Sequence, residues 1–162
     1  MKKGYIVARC STNAEKQDVT RQTKELTAKY SNQFNIAGEY AYYESGTKNK
    51  KDLNKILTYC INNDIDTIIV SEISRISRKV VGVLQFIEEC TKHQINVLID
   101  NYQLNSLNHD KTENITTKMM LTIGASFAEM ELKQTQQRLN SGRNKYILEG
   151  GILGRSKGSE ET

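Results

Sequence analysis

The chain has 162 residues, 37% apolar and 26% charged, with ten Gly, no Pro and no Trp, the balance of one soluble globular domain plus an appendage. At this length roughly two thirds of the unfolded chain's surface can be buried, so a core forms without metal or disulfide staples. The net charge is +4, no apolar run approaches a membrane span, and three scattered cysteines without CxxC spacing argue against a disulfide framework or a zinc site. A cytoplasmic protein is expected, with Cys10, Cys60 and Cys90 as small buried apolar residues. The two histidines, His93 and His109, do not suggest a Ser-His-Asp machine.

In chain order, Gly4–Arg9 reads as a buried strand, 13–30 as a helix, and Glu39–Tyr43 as a second strand. Lys51–Asn62 follows as a helix through Leu53, Ile56, Leu57, Cys60 and Ile61, then Asp66–Val70 as a strand. Val80–His93 is a third helix and Ile95–Asp100 a fourth strand. This β-α-β-α-β-α-β order predicts an α/β fold, a mostly parallel sheet flanked by helices, with ligand chemistry at the carboxyl ends of the strands. A polar loop leads to one long C-terminal helix from about Thr112 to Glu149. Its apolar stripe of Ile115, Met119, Ile123, Phe127 and Met130 thins out after Leu132. The expected organisation is an α/β domain over 1–110, a long helix over 111–149 whose first half can pack on protein and whose second half cannot, and a flexible tail over 150–162.

Charge is unevenly placed. Residues 133–157 carry Lys133, Arg138, Arg143, Lys145, Arg155 and Lys157 against Glu149 alone, whereas 1–132 is nearly neutral. A basic arm of this kind suits a nucleic-acid contact. Arginine is also used sparingly, with 7 Arg against 16 Lys, so its positions invite a reason. An arginine offers a planar fork that grips phosphate oxygens bidentately. Arg9 and the pair Arg75/Arg78 stand at the ends of predicted strands. Ser11 follows Arg9 by two, near Gln17, Arg21 and Gln22 on the next helix, and Ser74 to Arg78 is expected to open the third helix with Arg75 and Arg78 on one face. A serine ringed by arginines is a phosphate site. The plainer reading is a helix-capping Ser11, with the arginines paired to Glu44, Glu72 or Asp100.

The stretch Tyr5-Ile6-Val7-Ala8-Arg9-Cys10-Ser11-Thr12, with Gln17 and Gln22, resembles the Y-x-x-R-x-S-T…Q opening of the serine recombinases, the resolvase/invertase group. Glu44-Ser45-Gly46 with Lys50 to Leu53 is similar to that family's acidic-SG…R-x-x-L stretch. Ser74-Arg75-Ile76-Ser77-Arg78 resembles D-R-L-x-R, and Ala128-Glu129-Met130-Glu131, Gln137-Arg138, Gly142-Arg143, Gly150 and Gly154-Arg155 resemble A-E-F-E…E-R…G…G…G-R. Together they span about residues 3–158. Three positions depart: Lys50 stands for an arginine, Ser74 for an aspartate, Gln137 for a glutamate. Ser74 cannot accept from an arginine as a carboxylate would, so Arg75 needs another orienter.

The resemblance implies site-specific recombination of double-stranded DNA by the N-terminal catalytic domain, in which Ser11 attacks a phosphodiester and forms a 5′-phosphoserine link. It implies catalytic roles for Arg9, Arg75, Arg78, Gln22, Arg138, Lys50 and Tyr5, and DNA contacts by Arg143, Lys145, Arg155 and Lys157. A homodimer that becomes a tetramer in the synaptic complex is expected, with no cofactor, no metal and no membrane partner. A family member would continue after Gly154-Arg155 into a helix-turn-helix domain, where this chain stops. The alternative is a catalytically weak member acting as an oligomerisation and DNA-contact module. A receiver-type or flavodoxin-like domain fits less well, because the first strand ends in Arg and Ser where a receiver needs clustered acids, and no Gly-rich phosphate loop occurs.

Overall fold

A computed structural model of the chain describes residues 1–10, 16–43, 49–77 and 79–151. The chain divides into two compact units, Met1–Ile123 and Gly124–Thr162. The first holds a five-stranded sheet: β1 (Lys2–Cys10), β2 (Phe34–Tyr43), β3 (Thr67–Val70), β4 (Asn96–Ile99) and β5 (Leu104–Asn105), in the order β2-β1-β3-β4-β5. Pairings from β2 to β4 are parallel, and β5 returns antiparallel to β4. The helices are α1 (Lys16–Tyr30), α2 (Asn49–Asn62), α3 (Val80–Lys92) and α4 (Ile115–Leu148). The expected α/β class and parallel sheet are thus present.

Residue alternation on β1 and β3 divides the core in two. Ile6 and Ile69 pack with Leu26 and Tyr30 of α1 and with Leu98 of β4. Tyr5, Val7, Ile68 and Val70 pack with Leu53, Ile56 and Cys60 of α2 and with Val83, Phe86, Ile87 and Cys90 of α3. Each helix offers apolar side chains at three- and four-residue steps, the spacing that places them on one face. Cys60 and Cys90 are free thiols in this core, and burial pushes the Cys60 thiol up to about 12. The side chain of Cys10 lies outside the described residues.

α2 and α3 turn into the strands that follow by the same device. Ile65 N donates to Cys60 O at 2.9 Å and Ile95 N to Cys90 O at 2.9 Å, while Asp64 (φ 52°) and Gln94 (φ 58°) take the left-handed position between. This is the Schellman geometry, and it drops the apolar residue after each turn, Ile65 or Ile95, into the core. At the end of α4 the expected glycine does this work, Gly150 at φ 88°.

Two expectations are corrected. The second strand begins at Phe34, five residues before Glu39, because the register with β1 slips between Gly4 and Tyr5 and leaves Ala37 as an extra residue. Phe34 and Ile36 therefore pack with the α1 side, and Tyr40 and Tyr42 with the α2 side, although all four have the same parity. The 73–75 segment is not the start of α3 but a separate 3-10 turn after β3. Ser77 interrupts it, its Oγ accepting from Lys79 N at 3.1 Å just ahead of α3.

Within the first unit, the side chains of α4 that are buried are Thr117 and Leu121. Ile115, Met119 and Ile123 of the expected stripe are 59%, 58% and 53% exposed, so their own domain does not cover them. In the second unit Phe127 and Met130 are also exposed.

Candidate active site

Arg9, next to last in β1, shares a sheet face with Tyr5 and Val7 and is 4% exposed. Burial at that level is unusual for a guanidinium and demands polar company. Arg75 meets the main chain of the same residue. From the 3-10 turn Ile73–Arg75, its Nη1 donates to the main-chain oxygen of Arg9 at 2.7 Å. Its Nη2 meets Glu72 Oε1 at 2.9 Å, and Ser74 Oγ donates to that same carboxylate oxygen at 2.6 Å. Arg75 Nε is buried and has no hydrogen-bond partner among the described residues, a donor still open.

Glu72 is therefore the orienter that Arg75 requires in the absence of an aspartate at 74. The sequence carried a signal for it, since acid and arginine three apart meet on a helical turn. Ser74 keeps a part by holding the carboxylate.

The turn itself is pinned from three sides. Ile76, wholly buried, anchors it in the core; Asn101 N donates to Ser71 O at 3.0 Å; and the Tyr42 hydroxyl reaches the oxygens of Arg75 at 2.7 Å and Ile76 at 3.0 Å. Nothing in the local sequence around 75 points to Tyr42, which lies 33 residues away.

The other candidates are less gathered. Tyr5 is 5% exposed and stacks on Tyr59 with ring centroids 4.7 Å apart. Burial, reinforced by Cys60 and Tyr59, pushes its hydroxyl up to about 12. Gln22 is buried on the side of α1 that carries Val19 and Leu26, which packs on the sheet face opposite that of Arg9. Arg138, Arg143 and Lys145 are exposed on α4 in the second unit. Two of the arm's lysines meet acids one helical turn away: Lys145 lies 3.9 Å from Glu149 and Lys133 3.6 Å from Glu129. Ser11, Arg78, Arg155 and Lys157 lie outside the described residues, as does the side chain of Lys50. Among the described residues no group of His, Cys, Asp and Glu could hold a metal ion, and no helix is long and apolar enough to cross a membrane.

Chemically, the carboxyl edge of β1 and β3 presents one buried arginine and a second whose plane is set by two bonds in different directions. Fixed, permanent positive charge of this kind suits a phosphoryl group whose charge increases during reaction.

The chain matches the family model described as Resolvase, N terminal domain, over residues 4–152. Its fold is similar to that of the N-terminal catalytic domain of TP901-1 integrase, with a TM-score of 0.61 and 22% identity over 82% of this chain and 98% of that one. A resolvase family site-specific recombinase from Streptococcus pneumoniae has a TM-score of 0.61 at 20% identity, covering 91% of this chain and 99% of its own. A serine recombinase from Sulfolobus solfataricus has a TM-score of 0.53 at 21% identity, covering 83% and 88%. No curated protein sequence matches significantly.

Proposed function

The chain belongs to the resolvase family of serine recombinases, and on that premise we propose that it cuts and rejoins DNA at specific sites with Ser11 as the nucleophile. Ser11 Oγ attacks the phosphorus in line, the P–O3′ bond breaks, and the 3′-hydroxyl leaves with a proton while the 5′-phosphate stays on the serine. In rejoining, a 3′-hydroxyl attacks the phosphoserine and Ser11 is released, so the bond energy is conserved without ATP.

The observation that carries this reading is the bond from Arg75 to the oxygen of Arg9. It sets one guanidinium against the strand end two residues before Ser11. Arg9, Arg75 and Arg78 meet the charge that develops on the phosphoryl oxygens; the parts given to Gln22, Arg138, Lys50 and Tyr5 rest on the family resemblance alone. Three arginines do the electrostatic work that metal ions do elsewhere, and no metal is required. The alternative of an inert member drew in part on Ser74, and that part loses weight because Glu72 supplies Arg75 with a carboxylate; Lys50 remains a departure.

We assign the DNA contact to Arg143, Lys145, Arg155 and Lys157. The exposed Ile115, Met119 and Ile123, with Phe127 and Met130 continuing the same spacing, support a homodimer, two of which would make the synaptic tetramer. The domain scheme is carried forward in the same sense: a catalytic domain over 1–110, a dimerisation and DNA-contact helix over 111–149, and a tail from 150.

The test uses a pool of nicked duplexes with randomised centres, incubated with the protein in excess chelator. A covalent protein–DNA adduct is expected, and Ser11→Ala abolishes it while DNA retention on filters persists. An adduct with Ser11→Ala, or cleavage that stops with chelator and returns with magnesium, refutes the proposal.

A further inference from the structure

Tyr42 lies near the carboxyl end of the edge strand β2, opposite Arg9 in the register of the two strands and on the same face. Its ring is packed in the α2-side core and the residue is 4% exposed. The hydroxyl spans from that face to the turn after β3, reaching the carbonyl oxygens of Arg75 at 2.7 Å and Ile76 at 3.0 Å. Oxygens at the end of a 3-10 turn have no acceptor role left within the turn, so an outside donor decides where that end sits. Arg75, whose carbonyl is held there, sends its side chain back to Arg9 O and Glu72. One arginine is thus fixed at its carbonyl by Tyr42 and at its guanidinium by β1.

We propose that Tyr42 is a positioning residue for Arg75: its hydroxyl sets the place of the guanidinium at the end of β1, and it touches no reacting atom itself. The inference rests on the recombinase reading for its effect on rate, but not for its effect on Arg75.

The test compares Tyr42→Phe, which keeps the buried ring and removes only the donor, with Tyr40→Phe on the same strand. Tyr40 donates to Asp52 instead, at 3.1 Å. Single-turnover adduct formation on the nicked duplex pool should fall about tenfold in Tyr42→Phe, stay unchanged in Tyr40→Phe, and fall less than about twofold when Tyr42→Phe is added to Arg75→Lys. Equal losses in both backgrounds, or no loss, overturn the proposal. In parallel, the Arg75 Nε–Hε group is followed by nitrogen relaxation in the free protein. It should be as ordered as the backbone in the wild type and mobile in Tyr42→Phe. If the wild type forms no adduct, the recombinase reading fails by itself. An Arg75 Nε that stays ordered in Tyr42→Phe then still refutes the positioning role.

Discussion

Replacing Arg75 by lysine keeps the charge and removes the fork, which separates geometry from electrostatics at a site where the structure shows both. The guanidinium makes two bonds that diverge, 2.7 Å to Arg9 O and 2.9 Å to Glu72 Oε1. A single ammonium nitrogen cannot occupy both Nη positions, so one bond is lost. Charge-assisted hydrogen bonds contribute roughly 1.5–3 kcal/mol when protected from water. The Glu72 side chain is 42% exposed, so solvent screening reduces its share to about 1 kcal/mol. If the lysine keeps the Arg9 bond, folding stability falls by about that amount. The rate should suffer more, because a nitrogen drawn to Arg9 or Glu72 no longer offers two donors to a phosphoryl group. Loss of one bidentate contact in the transition state is worth at least about 1.4 kcal/mol, a factor of ten. The measurement is single-turnover adduct formation beside a urea titration of the same variant. A wild-type rate in Arg75→Lys would show that bulk charge suffices and would refute the reasoning.

Asp100 accepts from Lys29 Nζ at 2.7 Å, from the Tyr30 hydroxyl and from Gln103 Nε2 at 3.0 Å, joining the end of α1 to the segment after β4. Its burial acts to raise the carboxyl, but those hydrogen bonds outweigh it and hold the group below the usual carboxylate range. The stabilisation is therefore complete above the unfolded value near 4 and is lost as pH falls through the lower folded value. Asp100→Asn should be about 1–2 kcal/mol less stable at pH 7 by urea unfolding, with a flatter curve below about pH 4; curves that run parallel would exclude this account. Gly38→Ala places a Cβ 3.2 Å from Cε2 of Tyr5, whose ring is already backed by Tyr59. It should cost about 1–2 kcal/mol in thermal unfolding, and an unchanged melting temperature would contradict it. Met119→Glu with Phe127→Glu should give a monomer by light scattering and suppress adduct formation, whereas Arg143→Gln with Lys145→Gln should keep the dimer and weaken DNA binding with a shallower salt dependence. A wild-type monomer at high concentration would remove the interface.

Much of this protein was legible in its sequence, for reasons that are local. Short apolar runs such as Tyr5–Ala8 and Ile68–Val70 can only be buried strands, and three amphipathic helices between such runs dictate a parallel sheet, whose carboxyl edge is the candidate site. The sparing use of arginine marked Arg9 and Arg75 before any geometry was known, and Gly150 announced the end of the last helix. What the sequence could not settle depends on partners distant along the chain or on a rule broken locally. The bulge at Ala37 hides half of β2 by reversing its alternation, and it shows only in the pairing with β1, where the register slips between Gly4 and Tyr5. The left-handed Asp64 and Gln94 lack the glycine that would have advertised them; burial of Ile65 and Ile95 offsets their strain. On α4, periodicity correctly located a stripe but not which side the sheet domain would cover, since Thr117 and Leu121 win that place. The orientation of Arg75 is the clearest case. Its charge is a property of the residue, whereas its direction comes from Glu72, from Arg9 on another strand, and from a tyrosine hydroxyl that only folding brings within 2.7 Å.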